Sequence, residues 1–293
     1  MKKGFFMVLA FIFCFTTDAL CMDIDELVQV AAETKKGISE VFTAIDRDLS
    51  GTAKRLSVIG IKSDEARKVL GDLCQNHPYS VDCAVVDAAG KMIMVEPQAY
   101  KGFEGSDISS QAHIKSMLRK KKPVFSGVFS SVEGKKTIDF EYPVFSAEKE
   151  FLGSVSMLVD QEMLAENAII PIVQGTPCKV WIMQKNGLIV YDLDRNQIGR
   201  NIFSDELYRE FNVLVSFART VANTKDGAGS YNFYASGLDD KTLVEKYAAW
   251  ETASLYGNDW RIIAMEIDKP VPLPELHEKG KAPEQPKAGA DVQ

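Results

Sequence analysis

The chain has 293 residues and carries 34 Lys and Arg against 41 Asp and Glu, a formal net charge of −7. Nucleic-acid binding is thereby excluded, because it needs a basic surface to displace counterions. The length suits one large domain or two of ordinary size, each able to bury a core.

At the amino terminus Lys2 and Lys3 precede an apolar run from Gly4 to Phe15, and Ala19-Leu20-Cys21 follows after a polar break. This is the charged, apolar, small-residue order of a secretory signal peptide, so residues 1–21 are predicted to be a leader cleaved after Cys21. The run is too short for a comfortable membrane span, which takes about 20 residues, but an uncleaved anchor stays open as the alternative. Lipidation at Cys21 is opposed by Leu20, which stands where a small residue is required. Beyond the leader no segment is long and apolar enough to cross a bilayer, and the mature protein is expected outside the cytoplasm. Its three cysteines are Cys74, Cys83 and Cys178. In an oxidising compartment Cys74 and Cys83 form either a bridge or two buried thiols, since spacing does not fix connectivity.

Asp23 and Glu26 make a helix-starting box. After it Ile24, Leu27, Val28, Ala31, Ile38, Val41, Phe42, Ile45, Leu49, Ala53 and Leu56 recur at threes and fours, which predicts one long amphipathic helix over residues 22–62. Gly37 and Gly51 weaken it without ending it. Ser63 then caps a second helix carrying Ala66, Val69, Leu70 and Leu73.

The period changes to that of strands at Val81 to Val86 and Met92 to Val95, joined by a turn that ends on Gly90. A helix is predicted from Ser109 to Leu118, with Arg119 to Lys122 as a solvated basic end. Strands follow at Pro123 to Phe129, Thr137 to Phe145 and Phe151 to Val159, which gives an α+β module with an antiparallel sheet. The same order then returns. Lys179 to Met183 and Leu188 to Tyr191 flank a turn with Gly187, and Gly199-Arg200-Asn201 stands where Gly105-Ser106-Asp107 stood before. Helical segments from Ser204 to Ala222 and strands at Gly229 to Tyr234, Glu245 to Leu255 and Trp260 to Ile267 close it. Two units of about 100 residues in one element order predict tandem modules, at residues 63–170 and 171–268. From Lys269 to the end, prolines among charged and small residues predict a disordered tail.

On these residues the chain resembles a double Cache sensor, a pair of PAS-like modules behind a long helix, here in a free-standing form. The likeness is carried by Val85-Val86-Asp87-Ala88-Ala89-Gly90-Lys91, Asp107-Ile108-Ser109-Ser110-Gln111, Lys122-Pro123-Val124-Phe125-Ser126, Tyr142-Pro143-Val144-Phe145 and Phe151-Leu152-Gly153. In the second module it is carried by Asn186-Gly187-Leu188-Ile189-Val190-Tyr191, Ile198-Gly199-Arg200-Asn201 and Gly257-Asn258-Asp259-Trp260. The resemblance implies an extracytoplasmic sensor whose first, membrane-distal module binds a small molecule between the sheet and the elements inserted after its second strand. Relatives commonly continue into a transmembrane helix and an output domain, whereas Lys269 begins a polar stretch.

By that mapping the candidate ligand-binding residues are Tyr100, Gln111, His113, Lys115, Phe129, Ser131 and Asp139. Gln111 and His113 stand where many relatives carry an arginine and an aromatic. The amino-acid-binding subgroup's Arg-x-Trp-Tyr cluster and last-strand aspartate are missing, so an amino-acid ligand is disfavoured. An anion buried without a partner is costly, and His113 and Lys115 are the cations at hand, which makes a small polar metabolite such as a carboxylate the expected ligand. A carboxylate beside His113 would raise its proton affinity. The bland alternatives are a hydrogen-bonded core His113 and a solvated Lys115. Tyr191, Tyr231, Tyr234 and Trp250 either line a pocket in the second module or serve as core.

Chemistry of other kinds is not in view. His77, His113 and His277 lie at unrelated spacings, giving no metal site, and neither a phosphate-cradling loop nor a serine elbow occurs. Cys74 with His77 lacks an orienting third group. No catalytic residue or cofactor is expected. A competing reading makes the chain an interaction module, in which the long helix forms a homodimer or docks on a membrane receptor; another keeps the leader as the anchor of a receptor fragment.

Overall fold

The computed structural model describes residues 23–270, so the predicted leader and all but the first two residues of the predicted tail lie outside it. Helix α1 runs unbroken over Ile24–Ile59, and its start is the expected capping box, with Asp23 accepting from the Asp25 and Glu26 amides and Glu26 reaching back to Asp23. Helix α2 (Asp64–Gln75) begins at Ser63, whose hydroxyl accepts from Ala66 N at 3.0 Å.

The first module follows as β1 (Ser80–Asp87), β2 (Met92–Glu96), α3 (Ala112–Lys120), β3 (Val124–Phe125), β4 (Phe129–Ser130), β5 (Lys136–Phe145) and β6 (Phe151–Val159). Its sheet order is β2-β1-β6-β5-β3, with β4 also on β5, and the pairings are antiparallel. A helix that sequence reading did not anticipate, α4 (Gln161–Val173), leads to the second module and retains Pro171 inside it. There β7 (Lys179–Gln184), β8 (Ile189–Tyr191), α5 (Asn212–Asn223), β9 (Gly227–Tyr234), β10 (Leu243–Leu255) and β11 (Asn258–Pro270) form a sheet of order β8-β7-β11-β10-β9. The two orders are the same permutation. Strand β11 runs on through Lys269 and Pro270, where the tail was expected to begin.

The repeat extends to single residues. The turn glycines Gly90 and Gly187 have φ of 85° and 86°, a conformation that favours glycine. The next residues form equivalent isolated bridges, Lys91 to Asp107 and Leu188 to Asn201. Asp107 then accepts from Ser109 N and Asn201 from Phe203 N, each at 2.9 Å.

On their inner side the two modules share one apolar layer, because α1 lies across both sheets and joins them. At its centre Phe42 packs against Phe125 and Trp260 with ring centroids 5.1 Å away in each case, and against Phe140 at 5.8 Å. Most of the apolar stripe of α1 from Leu27 to Leu56 is buried within its own chain, while Ile24 and Val28 are 42% exposed and Lys35, Lys36, Glu40 and Arg47 line the outer surface. Most of the stripe that suggested dimerisation is therefore occupied within the chain. Each sheet keeps a second, private cluster on its outer face, around Ala84, Val86 and Ile114 in the first module and around Trp181, Phe217 and Trp250 in the second.

Cys74 and Cys83 are free, buried thiols in hydrogen-bond contact rather than a bridge, and Cys178 is likewise free. His77 is a structural link: its ring nitrogens meet Tyr79 Oη at 2.8 Å and Asp48 Oδ2 at 3.1 Å.

Candidate functional sites in the two modules

The outer face of the first sheet is acidic where a core would be apolar. Along β5, Ile138, Phe140 and Val144 point to the shared core, and the alternation turns Asp139 and Glu141 outward. Asp82 on β1 and Asp139 on β5 are both in register with Leu158 of β6, one on each side of it. Ser156 donates to Asp139 Oδ1 at 2.9 Å and Ser154 to Glu141 Oε1 at 2.5 Å. Their other oxygens, with Asp82 Oδ2, Ser131 Oγ and Glu133 Oε1, are buried without a hydrogen-bond partner.

Burial raises these carboxyl groups. Asp82 is pushed up to about 8, first by burial and then by the neighbouring Glu133 carboxylate; Glu141 rises to about 7 through burial. Asp139 lies well above its usual range, again through burial and then the charge of Glu141. The Asp82 carboxyl faces Glu133, whose charge disfavours its ionisation.

Five of the seven expected residues, Gln111, His113, Phe129, Ser131 and Asp139, do meet around a chamber here, together with Asp82 and Glu133. Two do not. Lys115 is exposed on the far side of α3, and Tyr100 packs with Phe103 and under the Lys135 ammonium. The chamber holds about 20 Å³, one water's worth. The His113 and Phe129 rings, with centroids 4.5 Å apart, form its wall and also line an outer groove floored by Val124 and Gly127.

His113 Nε2 stands 3.7 Å from Asp139 Oδ2, and burial lowers His113 to about 4. The residues lining the chamber are rich in acceptors and acids and include neither lysine nor arginine.

A much larger space lies in the second module. It is a cavity of about 350 Å³ between the outer face of the sheet and the segments 192–197 and 235–237. Trp181 of β7, Tyr231 and Phe233 of β9, Lys246 of β10 and Met265 of β11 form the floor, and Leu214 of α5 one side. Of the four aromatics weighed for a second pocket only Tyr231 lines it; Tyr191, Tyr234 and Trp250 pack in the apolar layers. Lys246 is 4% exposed, and burial lowers it to about 8 against the opposing pull of Asp192. Asp192 is raised to about 7 by burial. Sequence reading missed both, although a lysine within the alternation Val244, Lys246, Ala248, Trp250 is the signal that pointed there.

A long helix docked across two equivalent antiparallel sheets, each with polar interior space on its outer face, is the architecture of tandem PAS-like modules. Residues 40–161 match the family model of the HK/GC/chemotaxis protein-like sensor domain. That family and the structures this chain is similar to are sensor and receptor domains.

Among solved structures, an extracellular ligand binding receptor from Desulfohalobium retbaense is 27% identical with a TM-score of 0.70; the match covers 83% of this chain and 41% of that one. The chain thus spans well under half of that receptor's length. The periplasmic sensory domain of the Campylobacter jejuni chemoreceptor Tlp1 is 14% identical, TM-score 0.60, with 88% and 98% covered. The ligand binding domain of the Pseudomonas aeruginosa amino acid chemoreceptor PctC, solved with GABA, is 14% identical, TM-score 0.59, with 82% and 97% covered. These last two share the fold. No curated protein matches the chain. Among the described residues no helix is long and apolar enough to cross a membrane, and no group of three or more potential metal ligands occurs.

Proposed function

We propose that the chain is the ligand-binding unit of an extracytoplasmic sensor, and that its first module takes a small polar metabolite bearing an amino group. One observation carries this reading: the oxygens of Ser131 and Asp139 are buried around one chamber without hydrogen-bond partners, beside the facing carboxyl groups of Asp82 and Glu133. Buried polar atoms in folded proteins are nearly always satisfied, so such a concentration calls for a guest rich in donors. An ammonium group supplies three donors and the charge that lets the carboxyl groups ionise. The amino group of the GABA bound by the PctC domain is of this kind. The His113 and Phe129 rings separate the outer groove from the chamber, and the guest reaches the acids by displacing them. The message passes to a membrane receptor or an output domain of the same signalling system.

Calorimetry and thermal shift with small amines, each matched by the carboxylate and the alcohol of the same skeleton, test the reading. An amine at 100 times its dissociation constant stabilises the fold by about 2.7 kcal/mol. Asp139→Asn weakens that binding at least tenfold. Carboxylates binding in preference to amines, or an unchanged affinity in Asp139→Asn, would overturn it.

A further inference from the structure

We propose that the cavity of the second module is a separate binding site for a small monocarboxylate with an apolar or aromatic body, received by Lys246 and the Tyr231 hydroxyl. The two residues face each other in register across β10 and β9, so both side chains stand on the cavity side of the sheet. The volume of about 350 Å³ falls within the range of metabolite pockets.

Charge selects the ligand. Four charged groups besides Lys246 line the cavity: Lys179, Asp192, Asp194 and Arg195. The last two are engaged at the rim. Asp194 accepts from Leu238 N at 2.8 Å and from Asn196 N at 3.0 Å, and Arg195 bridges to Glu162 of α4 at 2.8 Å. Deeper in, Lys179 and Lys246 face Asp192, and Lys246 is the buried one of the two ammonium groups. Lys246 is 4% exposed and makes no ion pair among the described residues. Its recorded contacts are the Phe233 ring, 5.6 Å from Nζ, and the field of Asp192. A buried ammonium of this kind is stabilised by an anion placed beside it.

The neutral polar groups have the same sense. Trp181 Nε1 donates to Tyr231 Oη at 3.1 Å, which leaves the tyrosine proton free to donate. Tyr208 Oη donates to Gln197 Oε1 at 3.2 Å and so leaves the amide nitrogen of Gln197 as a donor. Lys246, Tyr231 and Gln197 thus present donors, the reverse of the acceptor-rich first chamber. Trp181, Phe233, Leu214 and Met265 supply the apolar wall for the remainder of the ligand. The carboxylate chemistry expected of the first module belongs, by this geometry, to the second.

The test is calorimetry with 3-phenylpropionate and 4-methylpentanoate, against 3-phenylpropionamide and the α-amino counterparts phenylalanine and leucine. The expected result is binding of at least one carboxylate, at least tenfold weaker binding of the neutral amide and of the amino acids, and at least a tenfold loss in Lys246→Met. Tyr231→Phe, which removes a single hydroxyl from a residue that remains packed, weakens binding several-fold and carries the test if Lys246→Met does not fold. The proposal is overturned if neither carboxylate binds, if the amide or the amino acids bind as well as the acids, or if affinity is unchanged in the variants. Amine binding in the first module is read in separate titrations, so either site can fail without the other.

Discussion

The buried acids of the first module make stability fall as pH rises, and Asp82 measures by how much. Its carboxyl is 1% exposed and is pushed up to about 8, from about 3.9 in an unfolded chain. Between those values the native protein holds a proton that the unfolded chain has released, so stability declines with rising pH until the native carboxyl ionises. Below about pH 6.5 His113 opposes this slope, because it is lowered to about 4 and the unfolded imidazole takes the extra proton there. Above about pH 8 Lys246 opposes it, because the native ammonium deprotonates first. The clean window is therefore about pH 6.5 to 8. One and a half pH units at about 1.4 kcal/mol each give about 2 kcal/mol from Asp82 alone. For a protein of this size that is a fall of roughly 4–8 °C in Tm. Glu141, raised to about 7, and Asp192, also raised to about 7, add to the slope in the lower part of the window. Asp82→Asn removes the proton and leaves an amide able to donate to Glu133. Thermal unfolding followed by circular dichroism in buffers across the window gives the answer. Asp82→Asn should lose about 2 kcal/mol less than the parent protein from one end to the other. A parent whose Tm is flat, or a variant that declines just as steeply, refutes the account of a buried, protonated Asp82.

Other consequences concern the frame. Phe42→Ala removes the ring that meets Phe125, Phe140 and Trp260, and should cost about 3–5 kcal/mol in urea unfolding. A loss below about 1 kcal/mol would mean that the shared layer does not hold the modules. A Cβ on Gly153, where φ is +142°, would stand 2.0 Å from the Val86 carbonyl oxygen, so Gly153→Ala should destabilise by more than about 3 kcal/mol. At Gly71, inside α2, a Cβ meets nothing within 4 Å, and Gly71→Ala should gain about 0.5–1 kcal/mol in the same assay.

The parts of this molecule legible from its sequence are those set by local pattern. Capping at Asp23 and Ser63, the 3.6-residue stripe of α1 and the paired turns at Gly90 and Gly187 all depend on residues close in the chain, and all appear where expected. Helix α4 was missed because Pro171 and a nearly uniform apolar run from Ala168 to Val173 hide its period. The binding residues were harder for a different reason. Asp82 and Asp139 come together through β6, which separates them in the sheet and lies far from Asp82 in sequence. Lys246 faces a cavity closed by segments 192–197 and 235–237, the first of them about fifty residues earlier. The alternation marks the lysine as inward-facing, but neither juxtaposition is written in a local period. Lys115, by contrast, falls inside the inserted segment that the family mapping marks, but two positions along a helix from His113 turn its side chain away from that residue's face.

Ser126 ties the two interiors together. Its hydroxyl accepts from Asp139 N at 2.7 Å, next to the acidic chamber of the first module. Its carbonyl accepts from Asn258 Nδ2 at 2.9 Å and Gln184 Nε2 at 3.4 Å, both in the second module, and those two side chains bond to each other at 3.1 Å. Gln184 ends the strand β7 that begins at Lys179 and carries Trp181, both of which line the second cavity. Opening the wall between groove and chamber involves Phe129, three residues along from Ser126. A displacement that reaches Ser126 must either break its carbonyl's bonds or carry Gln184 and Asn258 with it. Breaking them strands a buried carbonyl, at about 1–3 kcal/mol, so concerted movement is the cheaper course.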